Sequence, residues 1–437
     1  MKNSLLLVWD SIETSLWPIP LLLCTASIVL AQFALGWERE LSLSSTEFAV
    51  IMVPLSAARD ILALIAGSVL SIGGVVFSIS MVAFSLASGQ YGPKILRKFL
   101  SDSGSKLSLG LFIGTSLYCL AILSRYADSD QPSITVWIAL LLTVAALVSF
   151  IQFIHSIGID LQADRILERI GGDFRTAMAE LATNGADCVC NNDVLAWRRR
   201  VRGAQSACIA STAAGYVQAV DYQGVLGWCR EHRCAAVLRI RAGDFLLPGS
   251  SLLTLYGERK DYQAEQVEKL RDSIITGPLR TPVQDPEYPI TQLNQLAARA
   301  LSPGINDPGT AITCIDWFSM GAAILIDGDL PGKVLLDGDQ QPVILTRGVD
   351  FGGILKAFYA PARQFSAGNI PVQIALLESL IRLAELTVRA ERLEALAVHG
   401  RQLFESAEEQ GCSDYDLRGL RQRYGRLKRL TGQADDR

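Results

Sequence analysis

Residues 61–93 read ILALIAGSVLSIGGVVFSISMVAFSLASGQYGP, thirty-three positions without a charged side chain. In hydrocarbon only a helix satisfies its own backbone, and about 20 apolar residues cross the bilayer core. The stretch therefore predicts a membrane-spanning helix. Lys94, Arg97, Lys98 and Lys106 follow it, and a basic cluster of this kind marks the cytosolic end of a span.

Working outward, three more charge-free runs cover 14–37, 107–124 and 131–159. The expected spans are 17–36, 61–88, 107–124 and 134–155. Among the short loops the one after the second span is richest in Lys and Arg, which places it in the cytosol and, with four spans, both termini on the same side. Trp9, Trp17, Trp37 and Tyr91 fall near the expected interfaces, where amphipathic rings sit. The expected location is a bacterial inner membrane.

Charge is distributed accordingly. Eight of the 40 Lys and Arg and nine of the 44 Asp and Glu precede residue 160. A membrane part over 1–159 is thus followed by a water-soluble part, divided by pattern into 160–260, a linker helix with a β-rich module, and 261–437, mostly helical. The net charge of −4 is spread along the chain, so there is no global nucleic-acid footprint. Nine cysteines without regular spacing suggest buried reduced thiols rather than a disulfide framework.

Within the second span, Ser71, Gly74, Ser78, Met81, Ser85 and Ser88 recur at alternating steps of three and four. This lays small and hydroxyl side chains along one seam. Such a seam permits close helix approach in lipid and is expected to pack inside the bundle; the alternative is that it lines a water-filled path on the axis of an oligomer. Gln90, Lys94 and Arg97 would stand at the cytosolic mouth of that path, where topology alone also requires positive charge. His155, near the end of the fourth span, is expected at the interface, with a proton path as the alternative.

The soluble part reads as α+β. An amphipathic helix runs from 160 to about 181, interrupted at Gly171-Gly172. Tyr216 to Val220, Cys234 to Arg241 and Leu252 to Tyr256 read as strands of a small barrel or sandwich, with Asp221 capping a helix between the first two. Gln263 to Ile275 and Ile290 to Leu301 read as helices, and Lys333 to Leu336 with Pro342 to Thr346 as a hairpin. Asp350 opens a further helix, and from Val372 helices continue with breaks near Gly400 and Gly411 and a cap at Ser413. The last helix carries Arg418, Arg421, Arg423, Arg426, Lys428 and Arg429 around Leu417, Leu420, Tyr424 and Leu427. That pattern fits a helix–helix seam or, in a tethered protein, contact with anionic lipid.

Arg280, Gln284, Asp285, Ser302, Asn306 and Asp307 are the candidates for one polar pocket in the soluble part. For Asn306 and Asp307 the plainer reading is a helix start, since Pro308 is suited to the first helical position.

Phe77-Ser78, the run Ser88-Gly89-Gln90-Tyr91-Gly92-Pro93-Lys94, Phe99-Leu100-Ser101-Asp102, Arg280-Thr281 with Gln284-Asp285, and above all Ala300-Leu301-Ser302-Pro303-Gly304-Ile305-Asn306-Asp307-Pro308 resemble the bacterial membrane proteins grouped as domain of unknown function 2254. Tyr91, Gly92 and Lys94 depart from the family form, which is closer to Gln-Phe-Ser-Pro-Arg. The resemblance implies an inner-membrane location and four spans, and no activity.

Three histidines leave little material for His-based triads or metal sites. Cys188, Cys190, Cys229, His232 and Cys234 lack a recognised zinc spacing, and there is no Gly-rich phosphate loop; no cofactor is assigned. The sequence favours an oligomeric channel or transport-related protein with a cytosolic sensing part that binds an ion or small molecule. A membrane-anchored signalling or scaffolding protein and a membrane enzyme are the alternatives. The expected partners are lipids and further copies of the chain, with no nucleic acid.

Overall fold

The computed structural model describes residues 15, 17–42, 53–91, 103–126, 134–160, 162–184, 190–259, 261–411 and 413–432. The chain divides into two compact units, one ending at Arg165 and the other running from Ile166 to Arg437.

The first unit contains α1 (Pro18–Ser42), α2 (Leu55–Tyr91), α3 (Ser103–Leu123) and α4 (Ile134–Asp160). All four are long and apolar enough to cross a membrane. α2 has 37 residues, so at about 1.5 Å per residue it is longer than the roughly 30 Å hydrocarbon core.

α3 is the central helix and packs against the other three. Phe112, Tyr118, Cys119 and Ile122 on it are almost wholly buried. Its glycines set the approach of α1: a Cβ at Gly110 would lie 2.6 Å from Leu23 Cδ1, and one at Gly114 2.6 Å from Ser27 Oγ. Small residues let membrane helices approach closely enough for dispersion and hydrogen bonding to replace the hydrophobic effect. Ser116 Oγ donates to Ala66 O of α2 at 3.0 Å, and Ser108 Oγ meets Ser149 Oγ of α4 at 2.7 Å.

The second unit begins with α5 (Ala163–Asn184), which continues through Gly171-Gly172 rather than breaking there. A side chain at Gly171 would overlap the ring of Trp317, and one at Gly321 the ring of Phe174. The glycines therefore seat α5 against α10 (Pro308–Leu325). Phe174 stacks on Phe318 at 5.5 Å, and Phe318 on Phe358 of α11 (Phe351–Phe365) at 4.0 Å.

Among the described residues nine short strands follow α5 in two open sheets. The six-stranded sheet has the order β1 (Cys190–Asn191), β8 (Val334–Leu336), β9 (Pro342–Leu345), β4 (Ala235–Leu238), β6 (Ser251–Gly257) and β2 (Gln205–Ala210). It is antiparallel except where β4 meets β9, with Ala236 opposite Ile344. The three-stranded sheet is β5 (Phe245–Leu246), β3 (Gly215–Val220) and β7 (Ile274–Gly277). Neither closes on itself, so of the expected barrel or sandwich the barrel is corrected to two open sheets. Its cause is β8 and β9, which arrive from some eighty residues further on and extend the sheet at β4.

α6 (Val194–Arg200), α7 (Tyr222–Glu231) and α8 (Ala264–Arg271) connect and cover the strands. Val225, Trp228 and Cys229 of α7 and Leu270 of α8 share one core with Leu238, Leu253, Leu255 and Ile344. α7 ends in a left-handed residue, Arg233 at φ 51°, and Cys234 N donates to Cys229 O at 3.0 Å. This is the six-to-one closure of a Schellman motif, which brings the two flanking side chains together. Helix termination thus explains why Cys229 and Cys234 are neighbours. Among the described residues no group of three or more His, Cys, Asp or Glu is arranged to hold a metal ion.

The remaining helices are α9 (Glu287–Ala300), α12 (Ile370–Glu385), α13 (Ala390–Glu409) and α14 (Asp414–Leu430). Their starts follow the sequence: Asp221, Asp307, Asp350, Asn369 and Ser413 each accept from a backbone N–H in the first turn. Gly400 lies inside α13 rather than at a break, because Leu427 of α14 fills the space its side chain would need. The basic residues of α14 meet acidic partners within the unit: Arg421 with Glu408, Arg423 with Glu378 and Arg426 with Glu385. Leu420 and Leu427 are buried beneath them, so a helix–helix seam accounts for this face.

Candidate functional site

On α2 the bundle-facing side carries Leu62, Ile65, Ala66, Val69, Val76 and Ala83, all buried, together with Gly73, whose missing Cβ would lie 3.1 Å from that of Phe112. Ser80 on this side is buried and donates to Val76 O at 2.8 Å. The seam of Ser71, Gly74, Ser78 and Ser85 lies elsewhere: all four residues are exposed. A side chain added at Gly67 or Gly74 would meet nothing within 4 Å. Expected to pack inside the bundle, the seam instead faces away from it. Ser71 Oγ donates to Gly67 O at 2.8 Å, so its hydrogen is satisfied within the helix. Lys94 and Arg97 lie outside the described residues, as do the side chains of Ser88 and Gln90. His155 is exposed on α4.

A further polar contact inside the bundle centres on a residue outside the seam. Glu38, near the end of α1, is buried, and its carboxylate accepts both the backbone N–H and the hydroxyl of Thr135, each at 2.8 Å. Thr135 lies in the first turn of α4, whose amides have no partner in their own helix. A carboxylate there also complements the helix dipole. Tyr126 OH meets Thr135 Oγ1 at 2.5 Å, and Tyr118 OH donates to Thr135 O at 3.1 Å. The available signal was an acid directly after Trp37, at the end of an apolar run.

In the soluble unit Arg280 and Asp285 meet, whereas Gln284 bonds Val220. Arg280 grips Asp285 with Nε and Nη2, the latter at 3.0 Å from Oδ1, and its Nη1 donates to Thr291 Oγ1 at 3.3 Å. Asp285 is almost wholly buried and also accepts the Glu287 amide at 3.1 Å. Burial works against the Arg280 charge, but the hydrogen bonds and charge of Asp285, with Glu287 beyond, hold the guanidinium above its ordinary pKa. The pair packs on the turn after β4. There Gly243 has φ 93°, and a Cβ would stand 2.5 Å from Asp285 Oδ2. Arg241 pairs with Glu287 and Arg347 with Asp244, both at 2.6 Å, so the turn is clamped from several sides. Gln284, at φ 56°, accepts from Val220 N at 2.9 Å and donates to Val220 O at 3.2 Å. Its side-chain amide thereby takes the place of a neighbouring strand at the end of β3.

Ser302, Asn306 and Asp307 form a second, self-contained group. Asp307 accepts the Thr310 amide at 3.1 Å and hydroxyl at 2.6 Å. The Thr310 hydroxyl first, and then its amide, hold the Asp307 carboxyl below its ordinary pKa. Ser302 Oγ donates to Arg299 O at 2.6 Å, and Asn306, at φ 48°, donates its N–H to Ser302 O at 2.9 Å. Each of the two groups closes on its own hydrogen bonds.

Four apolar helices of spanning length ahead of a mixed helix-and-sheet unit define a polytopic membrane protein. The chain belongs to the family of predicted membrane proteins with domain of unknown function 2254, whose profile matches residues 13–382. It is similar to the uncharacterized proteins MT1328 and Rv1290c of two Mycobacterium tuberculosis strains, 25% identical over 352 residues in each case, covering 78% of this chain and 66% of the relative. The Mycobacterium bovis protein Mb1321c matches to the same extent. The chain thus spans just under two thirds of the length of these relatives. No solved structure matches it.

Proposed function

We propose that this protein assembles in the bacterial inner membrane, with its termini and soluble unit in the cytosol, as an oligomer whose copies meet along the α2 seam and enclose a path for ions or small molecules. The supporting observation is that Ser71, Gly74, Ser78 and Ser85 are open on the outer side of the four-helix bundle. Lipid tails offer a hydroxyl no partner, whereas a second helix offers close packing and an aqueous path offers hydration. In this reading the soluble unit gates the path.

Purified protein in planar bilayers tests it. Ionic current that falls when Ser78 or Ser85 is replaced by Leu supports a conduit. An oligomer that forms but carries no current refutes it and leaves the membrane-anchored scaffold. One observation favours that rival: Ser71 already satisfies its hydroxyl on Gly67 O, as a purely packing serine does.

A further inference from the structure

An edge strand presents unpaired backbone N–H and C=O groups, and proteins blunt such edges with shortness, charge, proline or a covering element. Three of the four sheet edges here are blunted. Among the described residues β1 and β5 are two residues long, and β7 has four residues and is followed by Pro278. The fourth edge, β2, has six residues, Gln-Ser-Ala-Cys-Ile-Ala, with neither charge nor proline.

Among the described residues β2 pairs with β6 alone, and the register shifts at its far end, between Ile209 and Ala210. The same end is the covered one, for Arg271 Nε donates to Ala210 O at 3.0 Å. Gln205, Ser206 and Cys208 are exposed. Among the described residues the outer backbone edge of this half is bonded to no other strand.

We propose that two copies of the chain join through β2, antiparallel and edge to edge, continuing the six-stranded sheet across a two-fold axis near Ala207 and Cys208. The occupant is a second copy because a strand is complementary to itself when turned about such an axis, each N–H meeting a C=O. Ser206, Ala207 and Cys208 are small enough to stand beside their equivalents, and no charge is repeated across the axis. The apolar helices confine copies to one plane in one orientation, which raises the effective concentration of identical edges. This surface is separate from the α2 seam and does not depend on it.

Cys208 provides the readout, being exposed near the middle of the strand, with Ser251 Oγ at 3.1 Å. Full-length protein in lipid nanodiscs loaded with more than one copy is treated with a short bismaleimide. The expected result is a covalent dimer that Cys208→Ser abolishes. Ser206→Lys, an exposed change that leaves the fold and its circular dichroism intact, sets like charges together and lowers dimer yield by about tenfold. Mixing Ser206→Lys copies with Ser206→Asp copies restores it. The proposal is overturned if wild-type protein gives no Cys208-dependent dimer, if Ser206→Lys leaves the yield unchanged, or if Cys208 in native membranes links only to a different protein. An oligomer that survives in nanodiscs without Cys208 linkage overturns this contact while leaving the α2 seam standing.

Discussion

Lowering the pH from 7 to 4 should remove a defined part of the soluble unit's stability through His399. The ring lies in α13, stacked on Tyr359 of α11 with centroids 5.6 Å apart. Burial, and secondarily the charge of Lys356, push its pKa from the ordinary 6.5 down to about 4. The unfolded chain therefore binds a proton between pH 6.5 and pH 4 that the folded chain refuses, and stability rises with pH across that window. The contribution is complete above pH 6.5, declines as the solution is acidified, and is gone below pH 4. A displacement of about 2.5 units at 1.36 kcal/mol each gives about 3 kcal/mol. Other groups titrate in the same range, so the decisive quantity is a difference between two proteins. His399→Phe keeps a ring on Tyr359 and removes the titration. Chemical unfolding of the detergent-solubilised full chain, followed by tryptophan fluorescence from pH 7.5 to pH 4, should show wild type losing about 3 kcal/mol more than the variant. Parallel pH profiles would refute the reasoning.

Arg280→Ala strands the buried Asp285 carboxylate and should destabilise the soluble unit by about 3–5 kcal/mol, measured by denaturant midpoint; recovery on adding Asp285→Leu would identify the stranded charge as the cause. Gly243→Ala adds a Cβ 2.5 Å from Asp285 Oδ2 at a positive φ and should lower stability by about 1–3 kcal/mol in the same assay. Glu38→Ala leaves two donors of Thr135 without their acceptor and should weaken the four-helix bundle by about 2–3 kcal/mol, read as earlier unfolding in a detergent titration. By contrast Arg426→Ala breaks an exposed pair with Glu385 and should change stability by less than about 1 kcal/mol.

Local chemistry was legible where it acts alone. The apolar runs became α1 to α4, the Asp and Ser caps start their helices, and the turn at 337–341 joins β8 to β9. What failed depended on distant partners. Gly171-Gly172 resembles a helix break until Trp317 is beside it. Ile274-Ile275 extends a helical pattern in sequence but becomes β7, because β3 supplies its hydrogen bonds. β2 is not legible in the sequence because Gln, Ser, Ala and Cys carry little strand preference, and β6 imposes the conformation. Arg280 and Asp285 form an ion-pair clamp and Gln284 substitutes for a strand, roles that depend on the positions of Gly243 and Val220, far away in the sequence.

The central place of α3 bears on how the protein is made. Of the four apolar helices it is the one most enclosed by its neighbours, and it has the lowest mean hydropathy. A segment of that kind gains least from partitioning alone out of the translocation machinery, because much of its surface is suited to protein rather than lipid. α1 and α2 emerge before it, and Gly110 and Gly114 fit it to α1. Its retention in the bilayer is then a co-operative step, in which earlier helices serve as the template that holds it until α4 completes the bundle.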